Sequence, residues 1–549
     1  MRSIAALTAL LLPLSASAAP LDLSPVPMRD PGSTLAADWH HGAFMEIFVR
    51  AWKDSDGDGI GDLRGLTQTL PVLQDLGIRG IWLMPITASA DRDHGYHTTD
   101  FRAVAPEYGT LADFDALLRE AHRRGIGVVM DYVINHSAVE HPAFQQALQG
   151  PGNRFHRWYV WSDTQPEGWD IWGKDPWYHA ASQPWTWAGD WKDLPPPPAD
   201  ARGFYFGTFN AKVPDFDLTN PEVWRYHEDS LRFWLNRGLD GFRLDAVPHM
   251  VERSAKDWND QPESRALTKR LQDLVTAYRH RWAVCEATAE PLDYAQPEVC
   301  GAAFAFGYVQ HYVRAAMGDA ASVQALVAPD PRRSARMATM VSNHDIFAGR
   351  RLWDQVGGDE ARYRLAAAGY LLQPGTPFVY YGEEVGMAGL HGIPGMGRGD
   401  IPVRGPMSWT ATGGFSTGTP FRPVAPNAAT HHLQAQRADP ESLWHFYRAM
   451  IGLRNAHASI RRGSFEHARA DGLTAQWQRR ADDDGAEDHT LTLIHYGTAG
   501  TTVQVPALPP GARLVAAWPR WGAPARADAQ GRATLHLAPQ SVRVYRVLR

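Results

Sequence analysis

Four short apolar stretches of this sequence end in groups that can do acid–base work. They are Asp131-Tyr-Val-Ile-Asn135-His136, Gly241-Phe-Arg243-Leu-Asp245, Val284-Cys-Glu286 and Val341-Ser-Asn-His344-Asp345. Runs this apolar read as buried parallel strands, which are otherwise nearly free of charge. Arg243 and Asp245 are two residues apart and share one face of such a strand. A guanidinium beside a carboxylate favours its ionised form, so Arg243 would hold Asp245 charged and oriented. Glu286 has Val284 and Ala287 on its flanks, apolar surroundings that raise a carboxyl pKa. Two carboxyls with separated pKa values make an acid and a base. The structural alternative is an Arg–Asp pair that ties two elements together, since buried charges come paired. Acids recurring at four strand ends favour chemistry, which barrel enzymes keep at the carboxyl ends of their strands.

The elements that must position these groups alternate from about residue 44. Phe44–Trp52 reads as a strand, Leu63–Gly77 as a helix and Arg79–Pro85 as a strand. Leu111–Gly125 reads as a helix and Ile126–Asn135 as the third strand. Asn220–Gly238 is a helix with Asn220 as cap, Pro221 at its first position and Gly238 at its end. Asp359–Leu372, Thr376–Glu384 and Asp439–His457 continue the helix, strand, helix pattern. Strands alternating with helices mean a parallel sheet, and the long repetition suits an eight-fold (β/α)8 TIM barrel. After about residue 460 the pattern turns to strands with turn residues, including Leu491–His495 and Ser541–Leu548. No internal repeat is evident.

Between the first strand and helix lies Asp54-Ser-Asp56-Gly-Asp58-Gly-Ile60-Gly-Asp62. Carboxylates at alternate positions of a glycine-rich loop can wrap a hard cation, and without one they repel. The match to an EF-hand loop is partial, because Gly65 stands where its last glutamate would be. Cys285 and Cys300 are the two cysteines of the chain, and a bridge and two buried thiols are equally open.

Of the 549 residues 44% are apolar, enough for a large core in more than one domain. The net charge of −6 gives no basic excess for nucleic acid or anionic membrane. Residues 1–19 have a basic start, an apolar run and Ala16-Ser-Ala18, the parts of a cleaved secretory signal peptide. The expectation is an exported, periplasmic or extracellular monomer with no partner in nucleic acid or membrane.

The four stretches, in this order, resemble the alpha-amylase family of retaining alpha-glucosidases and transglucosidases over nearly the whole chain. The resemblance implies a barrel in 20–136 and 216–458, an inserted domain B after strand three in 137–215, and a C-terminal antiparallel β-sandwich domain in 459–549. It implies Asp245 as nucleophile, Glu286 as acid/base and Asp345 as stabiliser of the transition state. It implies Tyr96, His136, His249 and His344 as sugar contacts, with Arg243 on the nucleophile and Asp131 orienting Arg243. Relatives with a similar loop bind calcium, or magnesium, there, so Asp54, Asp56, Asp58, Asp62 and the Ile60 carbonyl are the expected ligands of a structural calcium. Asn135 matches a residue of a second calcium site in many amylases. Val213-Pro-Asp215-Phe-Asp217 resembles a family specificity motif, and Gly389–His432 resembles a segment of intermediate amylase/glucosidase members that covers the barrel top.

The implied activity is retaining hydrolysis of alpha-1,4 bonds in starch-like glucans and maltooligosaccharides. His97 stands where many exo-acting relatives have aspartate, and Ala246 fits alpha-1,4 linkages. Both favour internal cleavage of the alpha-amylase type. Pro248, shared with trehalose synthases, points instead to an exo-acting alpha-glucosidase or a transglucosidase. A non-catalytic carbohydrate-binding relative is a further alternative, disfavoured by the presence of all three carboxylates.

Overall fold

The computed structural model of the protein describes residues 21–172, 183–189 and 203–549. The expected leader in 1–19 and the run Pro195–Pro198 lie outside the described residues. Among those described, no helix is long and apolar enough to cross a membrane.

Eight parallel strands close into a barrel: β1 (Phe44–Ile47), β2 (Gly80–Leu83), β3 (Gly127–Tyr132), β4 (Gly241–Leu244), β5 (Trp282–Cys285), β6 (Ala303–Phe304), β7 (Met337–Thr339) and β8 (Thr376–Tyr380). Each pairs with its neighbours in sequence, and β8 returns to β1. Apolar strand residues fill the barrel, among them Phe44, Trp82, Phe304 and Phe378, whose rings pack tilted or edge to face against one another. Helices cover the outside. Leu63–Leu76 starts at Asp62, whose carboxylate accepts from Gly65 N, and ends at Gly77 with φ 93°. Pro221–Leu235 starts at the Asn220 cap.

The first strand is shorter than its apolar run. It stops at Ile47, and Val49–Trp52 turns into helix instead. Both pieces are buried on every side, so hydrophobic periodicity cannot divide them. Between β3 and β4 the chain leaves the barrel and forms a three-stranded antiparallel sheet from Trp161–Ser162, Phe204–Phe206 and Trp185–Trp187.

A six-stranded and a two-stranded antiparallel sheet follow the barrel. Their facing sides share a core that includes Leu491, Leu493, Val503, Leu535 and Val547. The opposite side of the larger sheet packs Trp477, Ile494 and Val544 into the barrel's core.

Cys285 and Cys300 are joined in a disulfide. Cys285 ends β5 with its side chain on the face opposite Glu286, so the bridge fastens the outside of the barrel beneath the site.

Candidate functional site

Strand register brings the charged groups together. Asp131 on β3 lies directly across from Arg243 on β4, and Arg243 lies across from Val284 on β5. Two residues on along each strand the same face carries Asp245 and Glu286. Gly241 opens β4 because a Cβ there would strike the Trp282 carbonyl oxygen. The nucleophile position is followed by Ala246 with φ 50°, a left-handed turn that aims its N–H at Glu286 Oε2, 3.1 Å away.

Arg243, 1% exposed, is the hub. Its Nη1 binds Asp131 Oδ1 at 2.8 Å and also Asp245 Oδ1, while Nη2 lies 3.0 Å from Glu286 Oε2. The guanidinium sits over the rings of Trp82 and Tyr96. Tyr96 donates to Asp131 Oδ2 at 2.9 Å, meets His344 Nε2 at 2.7 Å and stacks on the His344 ring. Trp82 Nε1 donates to the same Asp131 oxygen.

Asp345 is held from two sides. His344 Nε2 lies 3.1 Å from its Oδ2, and Arg404 Nη2 donates to its Oδ1 at 2.9 Å. Arg404 also donates from Nε to the His344 carbonyl. Behind His344 stands Glu46 of β1, whose Oε1 is 2.6 Å from His344 Nδ1 and accepts from His344 N.

The electrostatics separate these acids. Burial raises Glu286 to about 7, with Arg243 opposing and Asp245 and Asp345 adding to the rise. Burial likewise raises Asp245 to about 6 and Asp131 to about 6, against the pull of Arg243. For Asp345, burial is overcome by His344 and Arg404, which hold it below the ordinary carboxylate range. His344 is pushed down by burial but raised by Asp345 and Glu46, to about 10. It is therefore an imidazolium at neutral pH.

Above these groups opens a pocket of about 520 Å³. Asp245, Glu286, Asp345, Tyr96, His136 and His249 all line it. His136 Nε2 binds the Tyr96 carbonyl, while its Nδ1 is buried without a hydrogen-bond partner. His249 stacks on Trp258, and its Nδ1 is likewise unpartnered. Burial lowers both to about 3, so they are neutral rings with a polar atom to offer a ligand. Every sequence-predicted catalytic or sugar-contact residue thus reaches one place, Asp131 and Arg243 as its buried floor.

The metal loop is gathered differently from expectation. The carboxylates of Asp54, Asp56 and Asp58 converge, with ligand atoms within 4.8 Å of one another. Asp62 stands outside that group: it caps the next helix and accepts from Ser55 N and Ser55 Oγ. Ile60 belongs to the loop, its N–H donating to Asp58 Oδ1.

Sequence reasoning missed Glu46, Trp82, Arg404 and Arg422. Glu46 had a signal, as the one acid in the apolar run Phe44–Ile47. The arginines belong to the segment after β8, where Arg422 grips both Asp93 oxygens at 2.7 and 2.8 Å and the Arg404 carbonyl at 3.1 Å.

A family model described as alpha amylase, catalytic domain, matches residues 46–463. A trehalose synthase/amylase of Mycobacterium tuberculosis is 33% identical over 476 residues, 78% of this chain and 76% of that protein. A trehalose synthase of Pimelobacter sp. is 30% identical over 514 residues, 83% of this chain and 87% of that protein. A crystal structure of an alpha-amylase from H. orenii is similar with a TM-score of 0.75 at 26% identity, covering 92% of this chain and 99% of that one.

The Glu46–His344 pair predicts a pH-dependent stability. A histidine whose folded pKa of about 10 lies above its unfolded value contributes stability that is complete below about 6.5. That contribution fades as pH rises through the folded value. Glu46→Gln keeps the shape and removes one carboxylate. Its deficit in melting temperature should be largest near pH 6 and shrink toward pH 10, and the His344 ring resonance should titrate at lower pH. Parallel melting curves across that range would contradict the pairing.

Proposed function

The chain belongs to the alpha-amylase family, and we propose that it is a retaining enzyme for short alpha-1,4-linked sugars that rearranges maltose to trehalose, with hydrolysis competing. The observation that carries this reading is the reach of the segment after β8 into the barrel mouth. Arg404 reaches from it to Asp345 and to the His344 carbonyl, and Arg422 reaches Asp93. A strap fastened to the third carboxylate and to the loop before Tyr96 borders the pocket, which its Asp400 and Arg404 line. Its 520 Å³ lies within the roughly 300–1,000 Å³ of small-ligand sites. The relatives described as trehalose synthases support the same choice. Internal cleavage, expected from His97, needs a cleft open at both ends, so that expectation yields to the transglucosidase alternative.

The residues divide the work as follows. Asp245, ionised beside Arg243, attacks the anomeric carbon and forms a covalent glucosyl-enzyme as the glycosidic bond breaks. Glu286 gives its proton to the departing oxygen. In the second half, the Glu286 carboxylate takes a proton from an attacking hydroxyl, which displaces Asp245 and restores the alpha configuration. Water gives hydrolysis, and the anomeric hydroxyl of the retained glucose gives trehalose. Asp345, held anionic by His344 and Arg404, offsets positive charge developing on the sugar ring.

We also read the acidic loop as a calcium site. Asp54, Asp56 and Asp58 would hold the ion, and all-oxygen carboxylate donors suit calcium. Bound there it supplies charge balance and rigidity. Lys53 Nζ binds the Gly414 carbonyl, Asp54 N the Phe415 carbonyl and Phe421 N the Gly59 carbonyl, so the loop braces the closing strap. A Cβ on Gly59 would strike the Thr419 carbonyl.

Four outcomes are expected. Incubation with maltose should yield trehalose and some glucose by anion-exchange chromatography, and maltoheptaose blocked at its non-reducing end should remain intact; cutting of the blocked substrate without trehalose would return the assignment to an internally acting amylase. kcat/KM should be bell-shaped, falling below about pH 6 as Asp245 takes a proton and above about pH 7 as Glu286 loses one. Glu286→Gln should reduce turnover of maltose by about 10²-fold or more, lose the alkaline limb, and be partly rescued by a glucoside with an acidic leaving group. Chelation should lower the melting temperature of the wild type and raise its KM, and Asp56→Ala/Asp58→Ala should abolish the response; an identical response in both proteins would place the controlling ion elsewhere.

A further inference from the structure

Three potential ligands meet in the pocket wall beside Tyr96. The antiparallel pair Thr87–Ser89 and Thr98–Val104 draws the loop between them closed, with Ala90 N and Ser89 Oγ both binding the His97 carbonyl at 2.9 Å. Within it Asp91, His94 and His97 bring their ligating atoms to within 4.8 Å of one another. The two imidazoles meet edge to face, with centroids 5.3 Å apart. Bonds of 2.0–2.2 Å in a tetrahedron would set donor separations of roughly 3.3–3.6 Å, between the 2.8 Å of the Asp91–His94 pair and the 4.8 Å outer limit of the cluster, an adjustment that side-chain rotation can supply.

One carboxylate oxygen in this cluster lacks its complement. Asp91 Oδ1 accepts from Asp93 N, Gly95 N and Ser89 Oγ. Oδ2 makes no hydrogen bond, although the side chain is 9% exposed and His94 Nδ1 lies 2.8 Å away. That nitrogen already accepts the Tyr96 N–H at 3.1 Å. The Oδ2 charge is met only while His94 carries a proton on Nδ1, and a metal cation between the two groups would take that proton's place. A cation there satisfies Oδ2 at the expense of the long Tyr96 N–H contact. His97 is the third donor, its ring in the same pocket wall with a ligating nitrogen within 4.8 Å of the other two ligand atoms.

We propose that Asp91, His94 and His97 form a site for a transition-metal dication in the wall of the sugar pocket. Two imidazoles and a carboxylate select zinc-like ions over calcium or magnesium, which prefer oxygen alone. Three protein ligands leave a position open. His94 and His97 line the same pocket as Asp245 and Glu286, so an ion held there competes with sugar.

The test uses the whole protein with calcium in excess to saturate the acidic loop. Zinc is titrated calorimetrically, and cobalt is added as a spectroscopic probe. The wild type should bind one zinc per chain with a visible cobalt band. Asp91→Asn and His97→Gln should each weaken zinc by about tenfold or more and lose that band, with far-ultraviolet circular dichroism unchanged. Saturating maltose should weaken zinc in the wild type, and zinc should raise KM for maltose. Absence of binding in the wild type, or undiminished affinity in both folded variants, would overturn the site. Zinc affinity indifferent to maltose would overturn its place in the pocket wall.

Discussion

One buried guanidinium holds this site together. Arg243 contacts Asp131, Asp245 and Glu286 at once, and it cannot give up its own charge. Three carboxylates around one cation leave an excess of negative charge, and burial makes that excess expensive. The arrangement therefore favours one proton in the cluster. It resides on Glu286, which has the single weaker contact with Arg243 and an apolar setting. Acid and nucleophile are thus distinguished by how each shares the same cation. Losing the guanidinium would leave three buried carboxyls without compensation, which makes Arg243 a structural and a chemical requirement together.

That hub exists because a closed barrel fixes register. Asp131 and Arg243 are direct partners across β3 and β4, so their side chains must point inward together. A slip of one residue would turn the whole charged set outward. The Cys285–Cys300 bridge fastens β5 on its outer face one residue before Glu286, opposite the charged cluster. Glu46 on β1 closes the ring of charge from the far side through His344 and Asp345.

What was legible from the sequence follows from these facts. A charge in an apolar strand stands out, so Asp131, Arg243, Asp245, Glu286, His344 and Asp345 were visible along with the barrel that presents them. The helix caps at Asn220 and Gly77 were visible because capping is local chemistry. Contacts across long stretches of chain were not visible: Arg422 with Asp93 spans 329 residues, and Arg404 with Asp345 spans 59. Local pattern also misled. Phe44–Trp52 is uniformly buried, and burial on all sides erases the period that separates strand from helix.

On the proposed reading, the division between a family chemistry and a particular outcome lies in the strap after β8. The carboxylates and their guanidinium make a covalent glucosyl-enzyme possible, and nothing in that cluster selects water or sugar as the second nucleophile. Selection falls to whatever keeps the first product in place and water out. On the proposed reading that task belongs to a glycine- and proline-rich segment whose own conformation has little regular structure. It is ordered instead by side chains reaching into the barrel mouth and by main-chain bonds to the acidic loop. A loop that must repel itself without a cation is a poor brace, and the same loop with one is a firm brace. On the proposed reading, metal, strap and product choice form one coupled unit, joined to the barrel's chemistry where Arg404 holds Asp345.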